Sequence, residues 1–168
     1  MAEPEVQIRT LAAEDWEPVR AIYVDGMASG QATFETEAPT WQRWDQAHLT
    51  APRLVAFSPA GVVGWAALSP VSARSVYAGV AEVSVYVGSE WQGRGIGRAL
   101  LETLVSESER NSIWTLQASI FPENVASISL HKACGFREVG TRARIGKMNG
   151  VWRDTILLER RSKLVGCD

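Results

Sequence analysis

Cysteine and histidine are scarce in this chain, with two of each in 168 residues. Cys134 and Cys167 cannot supply a disulfide framework, and no Cys or His pair stands at ligand spacing, so a structural metal site is not expected. No apolar run is long enough to span a bilayer and no apolar leader precedes the first elements, which makes a cytoplasmic location the expectation. Neither sign of charge dominates. A formal net charge of −2 gives no electrostatic reason to expect nucleic acid or an anionic membrane as partner. The seven tryptophans lack the interleaved basic residues of a base-stacking surface and are expected in the core and in pocket walls. There is no internal repeat, low-complexity tract or linker, and the length suits one domain over 1–168 with a sizeable core.

What the chain does have is a glycine-rich turn, Gln92-Gly93-Arg94-Gly95-Ile96-Gly97-Arg98, between a strand-like run and a helix-like one. Such a turn gathers backbone N–H groups that have no intrahelical partner, at the positive end of a helix dipole. Glycines let a ligand approach where a β-carbon would repel it. The physical reading is an anion site suited to the phosphates of a nucleotide-like cofactor, beside the plainer reading of a turn without ligand. Two familiar loops are excluded by spacing. A dinucleotide fingerprint needs G-x-G-x-x-G, whereas this turn is G-x-G-x-G, and no Lys follows to make a P-loop.

Hydrophobic periodicity places a first strand at 6–9, with Val6 and Ile8 on one face, and a helix at 14–27 whose stripe is Trp16, Val19, Ala21, Ile22 and Tyr23. A loop over 26–39 surrounds Phe34, and Thr40 caps a second helix. Residues 54–57 and 62–68 flank a Pro/Gly turn and read as a hairpin. After a connection over 72–79 come a strand at 82–87, a helix to about residue 110 with Ile96, Leu100, Leu104 and Val105 inward, and a strand at 114–120. A helix at 124–133 is opened by Asn124 and stopped at Gly135, and strands at 137–144 and 152–159 close the chain. The order β-α-α-β-β-β-α-β-α-β-β describes an α/β protein with a mixed sheet and helices on both faces.

The stretch Gln92-x-x-Gly95-x-Gly97 after a strand and before a helix resembles the pyrophosphate motif of the GCN5-related N-acetyltransferase (GNAT) family. A second stretch, Asn124-x-x-Ser127-x-x-Leu130-His131-x-x-x-Gly135-Phe136, resembles that family's coenzyme A segment, in the right order along the chain. The resemblance runs from about Val6 to Glu159 and implies a mixed sheet of about seven strands flanked by about four helices, with acetyl-CoA as co-substrate and no metal. Within the family, Ala81 to Val87 after Arg74-x-x-Tyr77, the run Thr33 to Pro39, and His131 are similar to the phosphinothricin and methionine sulfoximine N-acetyltransferases. These acetylate the α-amine of small amino-acid analogues. The loop Lys147 to Trp152 departs from them in spacing.

The resemblance implies roles residue by residue. Acetyl transfer needs a neutral amine, and Glu82 is the expected general base, acting directly or through a water, with burial raising its pKa. The plainer reading of Glu82 is a salt-bridged strand residue. His131 could be the base, the acid that protonates the thiolate, a coenzyme contact, or a packed core histidine. Tyr86 could supply a hydroxyl near the sulfur or be a core aromatic. Val85, Tyr86 and Val87 would offer peptide groups to pantetheine, and Gln92, Gly93, Arg94, Gly95, Ile96, Gly97 and Arg98 would hold the pyrophosphate, one of the two arginines being solvated. Asn124 suits a pantetheine amide or an ordinary N-cap, and Ser127 a coenzyme contact. Arg74 beside Tyr77 would pair with a substrate carboxylate. Phe34 and Trp152 would wall the pocket and Lys147 would meet a second anion, against readings of surface charge and core packing for the same residues. Transfer would be direct, with Cys134 inert. A homodimer is implied by analogy. Two other functions stay open: acetylation of protein termini or lysines, and a coenzyme A sensor without turnover.

Overall fold

The computed structural model describes residues 5–168. Its elements follow the expected order: β1 Gln7–Thr10, α1 Trp16–Ala28, α2 Trp41–Ala47, β2 Arg53–Ser58, β3 Gly61–Pro70, β4 Val80–Val87, α3 Ile96–Arg110, β5 Thr115–Ile120, α4 Val125–Ala133, β6 Arg137–Met148 and β7 Val151–Arg161. The strands form one seven-stranded sheet in the order β1-β2-β3-β4-β5-β7-β6. Every neighbouring pair is antiparallel except β4 and β5, which are parallel.

Two apolar clusters make the core. One gathers α3 (Leu100, Leu101, Leu104) with Leu54, Ala66, Leu68, Leu116 and Leu158 of the sheet. The other is aromatic: Trp16, Trp44 and Trp65 are buried together with Val19 and Ile22 from α1. Tilted ring pairs join Trp16 to Trp41 and Trp44, and Trp44 meets Trp65 edge-on; Trp65 in turn stacks on Tyr86 with centroids 4.8 Å apart. Three of the seven tryptophans are therefore core, Trp152 is exposed, and the rest are half-buried.

The local signals act where expected. The Thr40 hydroxyl accepts from the Arg43 N–H at 3.3 Å to open α2, and the Asn124 carbonyl oxygen accepts from the Ser127 N–H at 3.2 Å to open α4. Gly135 ends that helix with φ +91°. Three details differ from the periodicity. Ala21 is exposed and not part of the α1 stripe, because the helix rests on buried Trp16, Val19 and Ile22 with half-buried Tyr23 beside them. Leu101 joins the α3 face that the pattern assigned to Leu100 and Leu104, while Val105 is half-buried. The last hairpin is longer than expected. Asn149 (φ 50°) and Gly150 (φ 79°) make a two-residue turn whose twist matches the flanking strands, so pairing reaches the turn at Lys147 with Trp152 and Met148 with Val151.

Candidate active site

The site begins where β4 and β5 part. Their ladder holds only at Val80–Thr115, Ala81–Leu116 and Glu82–Gln117, and beyond Glu82 no rung joins them. On its other edge β4 stays fully paired with β3 up to Val87. The unpaired edge of Val83 to Val87 thus presents backbone N–H and C=O groups to an opening, and such groups need a partner. Two cavities of about 230 and 660 Å³ occupy the opening and share the walls Gln31, Ala32, Val85, Tyr86, Asn124 and Ser127.

The larger cavity is bounded by Val87, Gln92, Gly93, Gly95, Ile96, Gly97 and Arg98. Gly93 and Gly95 have φ of +74° and +79°, and a β-carbon on either would meet nothing within 4 Å. These glycines are therefore required by backbone conformation and leave open space above the loop. Gly95 is the N-cap of α3, so the N–H groups of the first turn open toward the cavity without intrahelical partners. Arg98 is held by Glu102 at 2.7 Å. Arg94 stands outside the cavity walls with its guanidinium over the Trp91 ring at 4.9 Å.

The smaller cavity contains the titratable groups. Glu82, half-buried, sits at its inner end, where one carboxylate oxygen accepts from Gln117 Nε2 at 3.4 Å and Ser119 Oγ at 3.3 Å. Its second oxygen has no partner among the described residues. His131 is buried, 4% exposed, edge-on to Phe136 and with Nδ1 2.7 Å from the Ser127 carbonyl. A carbonyl only accepts, so Nδ1 carries the proton and Nε2 is left as an acceptor in the cavity wall. Burial pulls the imidazole below its ordinary value and outweighs the opposing pull of that carbonyl, so the ring is neutral at pH 7. Burial pushes the Tyr86 hydroxyl far up, with Tyr23 adding to the effect, which keeps its proton in place. Cys134 is half-buried at the end of α4, and burial raises its thiol, so it is a weak nucleophile.

Asn124 is used twice within the chain, since its amide nitrogen also donates to the Gln31 carbonyl at 3.2 Å. Phe34 walls the smaller cavity, packed edge-on to Phe121. Arg74, Tyr77, Lys147 and Trp152 line neither cavity. Arg74 lies over Tyr77 on the β3–β4 connection, and Lys147 over Trp152 at the last hairpin. Sequence reasoning missed the polar wall made by Ser84, Ser119 and Thr155, and the Gln117 amide that donates to Glu82. Ser84 was within reach, because strand alternation puts it on the face of Glu82. Thr155 stands between Asp154 and the apolar run Ile156-Leu157-Leu158 of β7, and nothing local marks it as facing a cavity.

Residues 8–136 match the Acetyltransferase (GNAT) family, and the chain belongs to that family as an N-acetyltransferase. It is 32% identical over 164 residues, 91% of this chain and 81% of the other, to a phosphinothricin N-acetyltransferase from Alcaligenes faecalis. Its fold matches that of a GNAT superfamily phosphinothricin acetyltransferase from Sinorhizobium meliloti in complex with acetyl-CoA, with a TM-score of 0.87, 30% identity and coverage of 97% and 91%. It also matches a ribosomal-protein-alanine N-acetyltransferase from Brucella melitensis, with a TM-score of 0.85, 31% identity and coverage of 93% and 99%. The fold is thus the GNAT fold expected from the two motifs.

Proposed function

We propose that the chain transfers acetyl from acetyl-CoA to the α-amine of a small amino-acid-like acceptor of the phosphinothricin and methionine sulfoximine type. The observation that carries this reading is the pair of joined cavities at the β4–β5 fork. One is walled by the glycine loop and the other by Glu82 and His131. Bound acetyl-CoA supplies an acetyl thioester. Its phosphates suit the N–H groups at the start of α3, and its amide-bearing arm suits the free edge of Val83 to Val87.

The chain's own groups then divide the proton work. Glu82 takes the proton of the bound ammonium through its unpartnered oxygen, directly or through a water. His131 Nε2 accepts a hydrogen bond and helps hold the amine. The nitrogen lone pair attacks the thioester carbon and the N–C bond forms as the C–S bond breaks; the Tyr86 hydroxyl gives the departing thiolate a proton, and the second proton shed by the nitrogen as it becomes an amide restores the phenol. The single-residue scale of the smaller cavity, about 230 Å³, favours a small acceptor over a peptide. The apolar residues left exposed on the β3–β4 connection (Val76, Tyr77) and the last hairpin (Ile145, Val151, Trp152) support a homodimer. In that assembly Arg74 and Lys147 would reach a neighbouring subunit's pocket. No described helix is long and apolar enough to cross a membrane.

The Brucella likeness supports a second reading, acetylation of a protein N-terminus. Coenzyme A thiol release measured with L-phosphinothricin, L-methionine sulfoximine and an alanine-initiated peptide separates the two. Release with the amino acids and not the peptide is expected. Release with the peptide alone overturns the proposal in favour of the second reading, and acetyl-CoA binding without any release points to a sensor.

A further inference from the structure

Arg153 of β7 lies outside both cavities yet joins the segment over 29–36 to the rest of the site. One guanidinium nitrogen donates to the Gly30 carbonyl at 2.6 Å, and the other to Gln31 Oε1 at 3.0 Å and Glu123 Oε2 at 3.3 Å. The same guanidinium stacks on Phe121 with its carbon 3.7 Å from the ring centroid. Phe34 meets the Phe121 ring edge-on at 4.8 Å and walls the smaller cavity. Directly across the ladder from Arg153 stands Gly146. A β-carbon at 146 would lie 2.6 Å from the Phe34 ring, so the ring occupies space that only glycine leaves. With only 13% of its side chain exposed and both terminal guanidinium nitrogens bonded to protein oxygens, Arg153 is not a free clamp for a substrate carboxylate.

We infer that Arg153 is a positioning residue for acceptor recognition. It fixes the 29–36 segment against Phe121 so that Phe34 forms a rigid wall of the acceptor cavity, and Gly146 is the specificity-determining position that gives the ring its seat. This rests on the reading of that cavity as the acceptor site. Preorganising the wall removes an ordering cost from acceptor binding and leaves acetyl-CoA binding largely untouched.

The test is steady-state kinetics with L-phosphinothricin and acetyl-CoA on Arg153→Gln, Gly146→Ala and the double variant Gly146→Ala/Phe34→Leu. Hydrogen–deuterium exchange of the 29–36 amides runs alongside. Arg137→Gln, which removes an exposed ion pair with Glu159 on the same hairpin, is the control. Both single variants should raise the acceptor KM about tenfold with the acetyl-CoA KM within about twofold of wild type. With the Phe34 ring already replaced by the smaller leucine, the double variant should have an acceptor KM no higher than Gly146→Ala alone, a non-additivity that independent losses would not produce. Exchange should speed up in Arg153→Gln and not in the control. An unchanged acceptor KM in both single variants, an equal rise in both KM values, or a further rise in the double variant overturns the inference. If Arg153→Gln does not fold, the Gly146 pair decides alone. A wild-type protein that turns over no amino acid refutes the acceptor reading, while exchange that is unchanged in Arg153→Gln refutes the positioning role of Arg153 by itself.

Discussion

Replacing Gly95 by Ala separates backbone strain from ligand binding at the glycine loop. Gly95 sits at φ +79° and ψ 3°, and its missing β-carbon faces open space. The variant has no clash to relieve, so its stability cost is conformational, about 1–2 kcal/mol. For a chain of this size each kcal/mol lowers Tm by roughly 2–4 °C. The ligand effect is additional. At acetyl-CoA about 100-fold above Kd, the wild type should gain about 2.7 kcal/mol from binding. A methyl group that keeps the pyrophosphate off the N–H groups and weakens binding about tenfold cuts that gain by about 1.4 kcal/mol. The control is Gly61→Ala at the first residue of β3, at φ +108°, likewise with nothing within 4 Å and bordering neither cavity. Thermal unfolding with and without acetyl-CoA measures both quantities. Both variants should melt lower than wild type, and only Gly95→Ala should also lose part of the ligand-induced rise. An undiminished rise in Gly95→Ala would refute the assignment of this loop to the phosphates.

Other expectations are equally direct. Leu100→Ala, at a fully buried α3 position, should cost about 2–5 kcal/mol in urea unfolding, and a cost below about 1 kcal/mol would mean that the α3–sheet core is misdescribed. Stability should fall on mild acidification. Burial holds the folded-state values of His48 and His131 below that of the unfolded chain, so their contribution is present above about pH 6.5 and is lost as the pH drops through the folded values. A second loss should follow below about pH 4, since two carboxyls also have lowered folded-state values. The Arg9 hydrogen bond holds Asp15 down, and at Glu109 burial works upward but the hydrogen bonds from Arg160 and Ser162 with the Arg160 charge outweigh it. Unfolding free energies that stay flat from pH 7 to 5 contradict the first of these. Tyr86→Phe should keep acetyl-CoA affinity, because the ring still stacks on Trp65, while lowering kcat. A kcat equal to wild type removes the hydroxyl from the thiolate step.

Much of the architecture is legible because its signals are local. Thr40 and Asn124 announce helix starts by capping within three residues, and the positive-φ glycines mark the loop that opens α3. Alternation in Val83-Ser84-Val85 marks a strand with two unlike faces. The β4–β5 fork is different. Nothing in Val83 to Val87 says that pairing stops at Glu82, and only the family resemblance leads there. Long-range contacts were invisible for the same reason. The Arg153 guanidinium reaches the Gly30 carbonyl across 123 positions of sequence, and Gly146 matters because of a ring more than a hundred residues earlier. Arg74 and Lys147 are a different case. A basic residue beside an aromatic suggests a carboxylate site, yet in this subunit each stacks on its neighbouring ring away from both cavities.

The central claim is that Glu82 deprotonates a small α-amine for direct acetyl transfer. Its most direct test is the formation of N-acetyl-phosphinothricin followed by mass spectrometry across pH, for wild type and Glu82→Gln. The account predicts rapid product formation by the wild type and a kcat lower by about 10²–10⁴ in the variant, with acetyl-CoA affinity unchanged and activity partly recovered at high pH, where the free amine is already neutral. Wild-type and variant rates that coincide at neutral pH would contradict it.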